Sequence, residues 1–149
     1  AAVAALAAVY TAYLFGQAKG RDLWQSPLLP PHLLVQALIA GSAIALLSAR
    51  AVEPAAEIAG RWALGATSLA HLLLVLGEIT FPHTTAHARL AAWEMTNGRY
   101  ARFTWAGVAL VAAGVTAPWI GPWVAPLALA GLLAHEHAYV QAAQAVPLA

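Results

Sequence analysis

The sequence predicts an all-α fold, a polytopic bundle of transmembrane helices, and three observations carry that prediction. Hydrophobic residues make up 62% of the 149 and charged residues 9%, where a soluble domain has about a quarter of its residues charged; the mean hydropathy is +0.71. The apolar residues run continuously over stretches near the ~20 residues that cross about 30 Å of hydrocarbon, whereas a barrel strand shows about ten residues of alternating polarity. Finally, Trp24, Trp62, Trp93, Trp105, Trp119 and Trp123 stand at or near the edges of those stretches, where an amphipathic indole lies at headgroup level.

Five segments of roughly spanning length follow within one transmembrane domain covering residues 1–149. The first, residues 1–17, stops at Lys19-Gly20-Arg21-Asp22. The second, residues 31–49, opens on Pro31, acceptable in a first turn where the missing N–H is unpaired anyway. The third, residues 61–79, ends before Phe81-Pro82, and the fourth, residues 102–117, runs into Pro118, Gly121 and Pro122, read as a tight hairpin. The fifth, residues 123–144, is interrupted by Pro126 and by His135-Glu136-His137. Residues 82–101 form the long connection: Thr84 or Thr85 caps a short helix through Met95, and Asn97-Gly98 ends it. Leu90 and Trp93 lie near one face of that helix, as suits a segment in the headgroup plane. Gly41, Ser42, Gly65, Gly107 and Gly114 are read as packing positions.

The chain opens inside an apolar run, with no methionine and no basic n-region. It reads as an excerpt of a longer protein rather than as a signal peptide. Lys19, Arg21, Arg89, Arg99 and Arg102 fall in the two connections on one side and Arg50 and Arg61 on the other. That asymmetry places the first and third connections, and the C-terminus, on the cytoplasmic side.

Composition also excludes partners and cofactors. A net charge of +1 without a basic stripe argues against nucleic acid. Without cysteine the chain holds neither a thiolate-ligated iron–sulfur cluster nor a CxxC site. Any metal would need His or carboxylate ligands. His83 and His87 have i, i+4 spacing but no third ligand and read as hydrated loop residues; His32, at a helix start, is uninformative, and no metal site is expected.

Polar residues inside the apolar runs are the functional candidates, because a charge at the helix centre costs about 2.5–3.5 kcal/mol on the insertion scale. His71 and Glu78 are seven positions apart and share a helix face. The bland readings are a buried imidazole bonded to a neighbouring helix, and a carboxylate reaching headgroups or a loop arginine. His135, Glu136 and His137 point in three directions, each residue turning by about 100°; they suit a proton relay, although at least one is expected to be interfacial. Tyr10 and Gln17 also lie seven apart on one face, where a tyrosine in a bundle is more often packing than chemistry.

Residues 10–30 read Tyr-Thr-Ala-Tyr-Leu-Phe-Gly-Gln-Ala-Lys-Gly-Arg-Asp-Leu-Trp-Gln-Ser-Pro-Leu-Leu-Pro. The Tyr-Thr start, the Ala-Lys-Gly turn and the Pro-Leu-Leu-Pro before the next helix resemble a signature of the NrfD/PsrC (polysulfide reductase-like) family. Gln141-Ala142-Ala143-Gln144 is similar to that family's Ala-Gly-Gln ending. The resemblance implies the last five helices of an eight-helix subunit in a bacterial or archaeal cytoplasmic membrane. Such a subunit passes electrons between menaquinone or ubiquinone and an iron–sulfur partner, often with a molybdopterin-containing catalytic subunit beyond it. It implies a quinone-reactive subunit rather than a stand-alone enzyme, with no haem or cluster of its own.

The family's quinone-proximal tyrosine maps onto Tyr10. Tyr10, Gln17 and His71 are then the expected quinone-binding residues, and Glu78, His135, Glu136 and His137 the expected proton-transfer residues. Ala12 and Ala143 replace family glycines, and His135-Glu136-His137 is more polar than the family pattern. Two other classes compete: a b-type cytochrome anchor ligating haem through His71 and either His135 or His137, and a proton channel or transporter. The absence of an evident inverted repeat counts against the last.

Overall fold

A computed structural model describes residues 2–147 apart from the side chains of residues 50–52, so Ala1 and the Arg50 side chain, both used in the sequence reading, lie outside the described residues. The described chain is helical, without strands: α1 (Ala2–Gly16), α2 (Leu29–Val52), α3 (Glu57–Thr80), α4 (Ala86–Thr96), α5 (Ala101–Val115), α6 (Ala117–Ile120) and α7 (Ala125–Ala145). Single 3-10 turns lie at Asp22–Gln25, Pro54–Ala56 and Pro122–Val124.

Local chemistry explains the boundaries. Thr85 caps α4 by accepting from the Ala88 N–H at 3.1 Å, and Asn97 ends it. Gly20 (φ 95°) and Gly121 (φ 100°) take up the left-handed backbone that the turns after α1 and α6 require. The expected hairpin at Pro118 contains one further turn of helix, α6, because Pro118 falls in a first turn, where it is tolerated. Pro126 likewise sits in the first turn of α7, which continues unbroken through His135-Glu136-His137.

Two described helical stretches, Leu29–Ala49 and Pro54–Thr80, are long and apolar enough to cross a membrane. Helices α1 and α5 are apolar but only 15 residues each, about 22 Å at helical rise. Helix α7 has 21 residues but carries the His-Glu-His triplet and two glutamines. Outward faces of α2 and α3 are apolar, with Leu38, Ile44 and Leu47 on one and Leu69, Leu73 and Leu76 on the other. Such contiguous exposed apolar surface suits contact with lipid or a partner.

The interior has two apolar clusters. One, at the end where α1 turns into α2, gathers Leu23, Trp24, Leu29, Ala91, Met95, Tyr139 and Val146. The other gathers Ile39, Leu46, Leu64, Val111, Val124 and Ala128. Trp24 therefore departs from the interfacial role expected of it: it is buried, edge-on to Phe15 with ring centroids 4.9 Å apart, because the 3-10 turn folds it back onto α1. The other five tryptophans are exposed. On α4, Leu90 and Trp93 share the outward face, as their spacing predicts, while Ala88, Ala91 and Met95 pack inward, so apolar side chains occupy both faces.

Helices α5 and α7 meet through glycine. A Cβ on Gly107 would lie 2.9 Å from the Gly131 carbonyl and the His135 N–H nitrogen, and one on Gly114 would meet Ser68 and Ala128. Gly65 packs against Pro118. Gly41 faces open space and is not a contact position. Gly107→Ala is expected to cost about 1–3 kcal/mol, since backbone must shift to admit the methyl. Gly41→Ala is expected to be neutral or stabilising by up to about 1 kcal/mol. Melting of the two variants in detergent checks the contrast.

Candidate functional site

A layer of polar side chains separates the two apolar clusters. His32 on α2, His71 on α3 and His135 on α7 are 2%, 0% and 2% exposed. Gln36, Ser68 and Thr104 are buried as well. His32 Nε2 and His71 Nδ1 are 3.0 Å apart, a hydrogen bond whose donor depends on the tautomers. The His135 ring stands 4.9 Å from that of His71 and 5.3 Å from that of His32, centroid to centroid. Each imidazole arrives by a different route: His32 from the first turn of α2, His71 from the interior of α3, and His135 because Gly107 and Gly131 let α7 lie against α5. His71 Nε2 and both ring nitrogens of His135 have no partner among the described residues.

Beside this cluster is a cavity of about 10 Å³ lined by His32, Gln36, His135, Glu136 and Tyr139 together with apolar side chains. That is room for about one water-sized particle. Tyr139 is buried and donates from its hydroxyl to the Leu23 carbonyl at 2.8 Å, tying α7 to the turn after α1. Glu136 is half-buried, while His137 turns outward onto Phe103, ring centroids 4.7 Å apart. The triplet diverges as its spacing predicts.

Glu78 shares the buried face of α3 with His71, 6% exposed. Its contact is with the turn after α1: Ser26 Oγ donates to Glu78 Oε2 at 2.9 Å, and Oε1 has no partner among the described residues. Ser26 is also a wall of a groove of about 510 Å³, with Tyr13, Gln17, Trp24, Gln25 and Pro27 among its lining. On the other side Glu78 and Ser26 border a space of about 100 Å³ that reaches His83. Ser26 and His83 in turn border one of about 340 Å³ with Asp22, Gln25, Thr84 and Thr85. His83 and His87 are not fully hydrated as expected, for His83 Nε2 and both His87 nitrogens are enclosed; His83 stands beside Asp22, Gln25 and Ser26 of the turn after α1.

Tyr10 is exposed on α1, in a shallow apolar groove of about 440 Å³ with Val3, Leu6, Ala7, Val9 and Tyr13. Gln17 is exposed too. The structure therefore separates the three expected quinone contacts: Tyr10 and Gln17 lie on adjoining outer grooves that share Tyr13, and His71 lies inside. Sequence reasoning missed Ser26, His32 and Tyr139. His32 and Gln36, four apart in the apolar first half of α2, were the available signal.

Comparison with family models, with curated proteins and with solved structures finds no match to this chain. Tyr139→Phe keeps the ring and removes one of two donors to the Leu23 carbonyl, which still accepts from the Ser26 N–H at 3.2 Å. It is expected to lower stability by about 0.5–1.5 kcal/mol, read as a lowered melting temperature in detergent.

Proposed function

We propose that this chain is the quinone-facing part of a membrane oxidoreductase complex, exchanging electrons with an iron–sulfur partner subunit and protons with the protein. The observation that carries this reading is Ser26, which lines the groove and donates to the buried Glu78. The groove, about 510 Å³, falls within the roughly 300–1,000 Å³ usual for small-molecule sites. Its walls combine Trp24, Pro27 and Leu29 with the polar ends of Tyr13, Gln17, Gln25 and Ser26. That mixture fits a flat ring bearing two oxygens and an apolar tail. The tail would follow Tyr13 into the apolar groove beside Tyr10.

In the oxidising direction, two electrons leave the quinol for the partner's cluster and two protons must leave with them. Ser26 takes one hydroxyl proton while passing its own to Glu78, so the serine ends unchanged and the carboxylate protonated. Glu78 then gives that proton up along the exit route, and the second proton follows by the same two transfers. From Glu78 the way out leads past His83 toward Asp22 and the connection before α4. The reverse sequence serves quinone reduction. Five helices then lie in the membrane, α1 and α5 as short spans and α7 as a polar one, within a longer bundle.

A haem between His71 and His135 is the weaker reading. A macrocycle has to lie between its axial imidazoles, and these two rings meet edge to face at 4.9 Å with His32 against both.

Glu78→Gln and Ser26→Ala are expected to leave assembly intact and to slow quinone turnover by about 100-fold or more, the scale of a lost proton-transfer group. Subunit yield and turnover of the full complex check this; wild-type turnover at every pH in an intact complex would remove Glu78 from the path. Tyr10→Phe is expected to impair turnover while keeping yield, and unchanged kinetics would take Tyr10 out of the site. For orientation, Asn97→Cys, on the exposed end of α4, is expected to resist an impermeant thiol reagent in intact cells and to react after permeabilisation. Ready labelling of intact cells would reverse the topology.

A further inference from the structure

We infer that His32, His71 and His135 form a binding site for a single Zn²⁺ ion at the centre of the bundle. One ring nitrogen from each residue can be chosen so that all three lie within 4.8 Å of one another, and all three side chains are buried. Tetrahedral zinc binds imidazole nitrogens at about 2.0–2.1 Å, which sets them about 3.4 Å apart. The closest pair, His32 Nε2 and His71 Nδ1, is already at 3.0 Å. That pair opens by a few tenths of an ångström on the ion, and the His135 nitrogen, within 4.8 Å, approaches it.

Three features favour an ion over a purely hydrogen-bonded cluster. First, hydrogen bonding leaves both His135 nitrogens without a partner among the described residues, at about 1–3 kcal/mol for each buried group. A shared ion takes the lone pair of one of them and draws His135 into the pair that His32 and His71 already form. Second, the cavity of about 10 Å³ against His32 and His135 is the size of one water, the fourth ligand that a three-histidine zinc leaves open. Third, Glu136 borders that cavity, so a carboxylate lies close to the ion's charge and can accept a hydrogen bond from its water. The donor set selects the metal: there is no cysteine, and the single methionine, Met95, lies in the cluster with Trp24 and Leu23 rather than here. Imidazoles without sulfur suit zinc and its late first-row neighbours.

Binding needs no net change in protonation at the rings. The proton shared by His32 and His71 moves to the far nitrogen of its own imidazole, leaving both facing lone pairs for the ion. The site does not depend on the quinone reading, since Ser26 and Glu78 are outside it. A three-helix zinc site would instead lock α2, α3 and α7 together, which explains how a polar layer is tolerated between two apolar clusters.

The test is the metal content of the full chain purified in detergent without chelator, followed by replacement with Co²⁺. The expected result is one zinc per chain, nitrogen ligands at about 2.0–2.1 Å by X-ray absorption, and a visible tetrahedral Co²⁺ band. His71→Gln and His135→Gln should abolish the band, and the His83→Gln/His87→Gln pair should keep it. Absence of tight binding in the wild type overturns the inference, as does a band that survives His71→Gln or vanishes only in the loop pair. If the core variants fail to assemble, the wild-type absorption spectrum decides alone: three imidazoles on the metal uphold the site, and fewer overturn it. Glu78→Gln should leave the metal in place, so failure of the quinone reading and failure of this one are distinguishable.

Discussion

A polar atom inside an apolar bundle has no water to turn to, and that constraint organises this molecule. His32, His71 and His135 reach the same small volume from helices α2, α3 and α7, so the three helices share a register that none could set alone. Apolar packing above and below tolerates sliding by a fraction of a turn. An imidazole that loses its neighbours does not. The glycine seam between α5 and α7 belongs to the same arrangement, because any side chain at Gly107 would push against His135.

Polar chemistry divides into an inner and an outer part. The inner layer is closed, with only a water-sized cavity at its side. The outer part runs along the turn between α1 and α2 and the start of α4, where grooves of a few hundred Å³ meet at Ser26. Glu78 joins the outer part through Ser26, although it sits on the same face of α3 as His71. One helix thus presents a buried imidazole and a buried carboxylate about 10 Å apart along its axis.

Much of the fold was legible because it is written locally. Thr85 and Asn97 bound α4 where cap chemistry says they should, and seven-residue spacing correctly put His71 and Glu78 on one buried face. Divergence of His135, Glu136 and His137 also followed from helical rotation alone. What was not legible depends on tertiary convergence: His32 meets His71 across 39 residues and Ser26 meets Glu78 across 52, and no spacing rule reports that. Trp24 misled because an indole at the end of an apolar run looks interfacial until the following turn is known to fold inward. The fourth and fifth segments were read as spans from their apolar content, but α5 is only 15 residues long and α7 carries its polar triplet mid-helix.

Arg21 adds a contact of another kind. Its guanidinium donates to the carbonyls of Ala143, Gln144 and Val146 at 3.0, 3.1 and 2.8 Å, the unpaired acceptors at the negative end of α7. Together with the Tyr139 hydroxyl on Leu23, it fastens the turn after α1 to a helix made more than a hundred residues later. During synthesis, helices α1 and α2 therefore emerge with this turn unsupported, and the wall formed by Trp24 and Ser26 takes its final shape only when α7 docks. Assembly order is built into the fold: a chain stalled before α7 presents the wall formed by Trp24 and Ser26 without the carbonyls and the hydroxyl that fasten its turn.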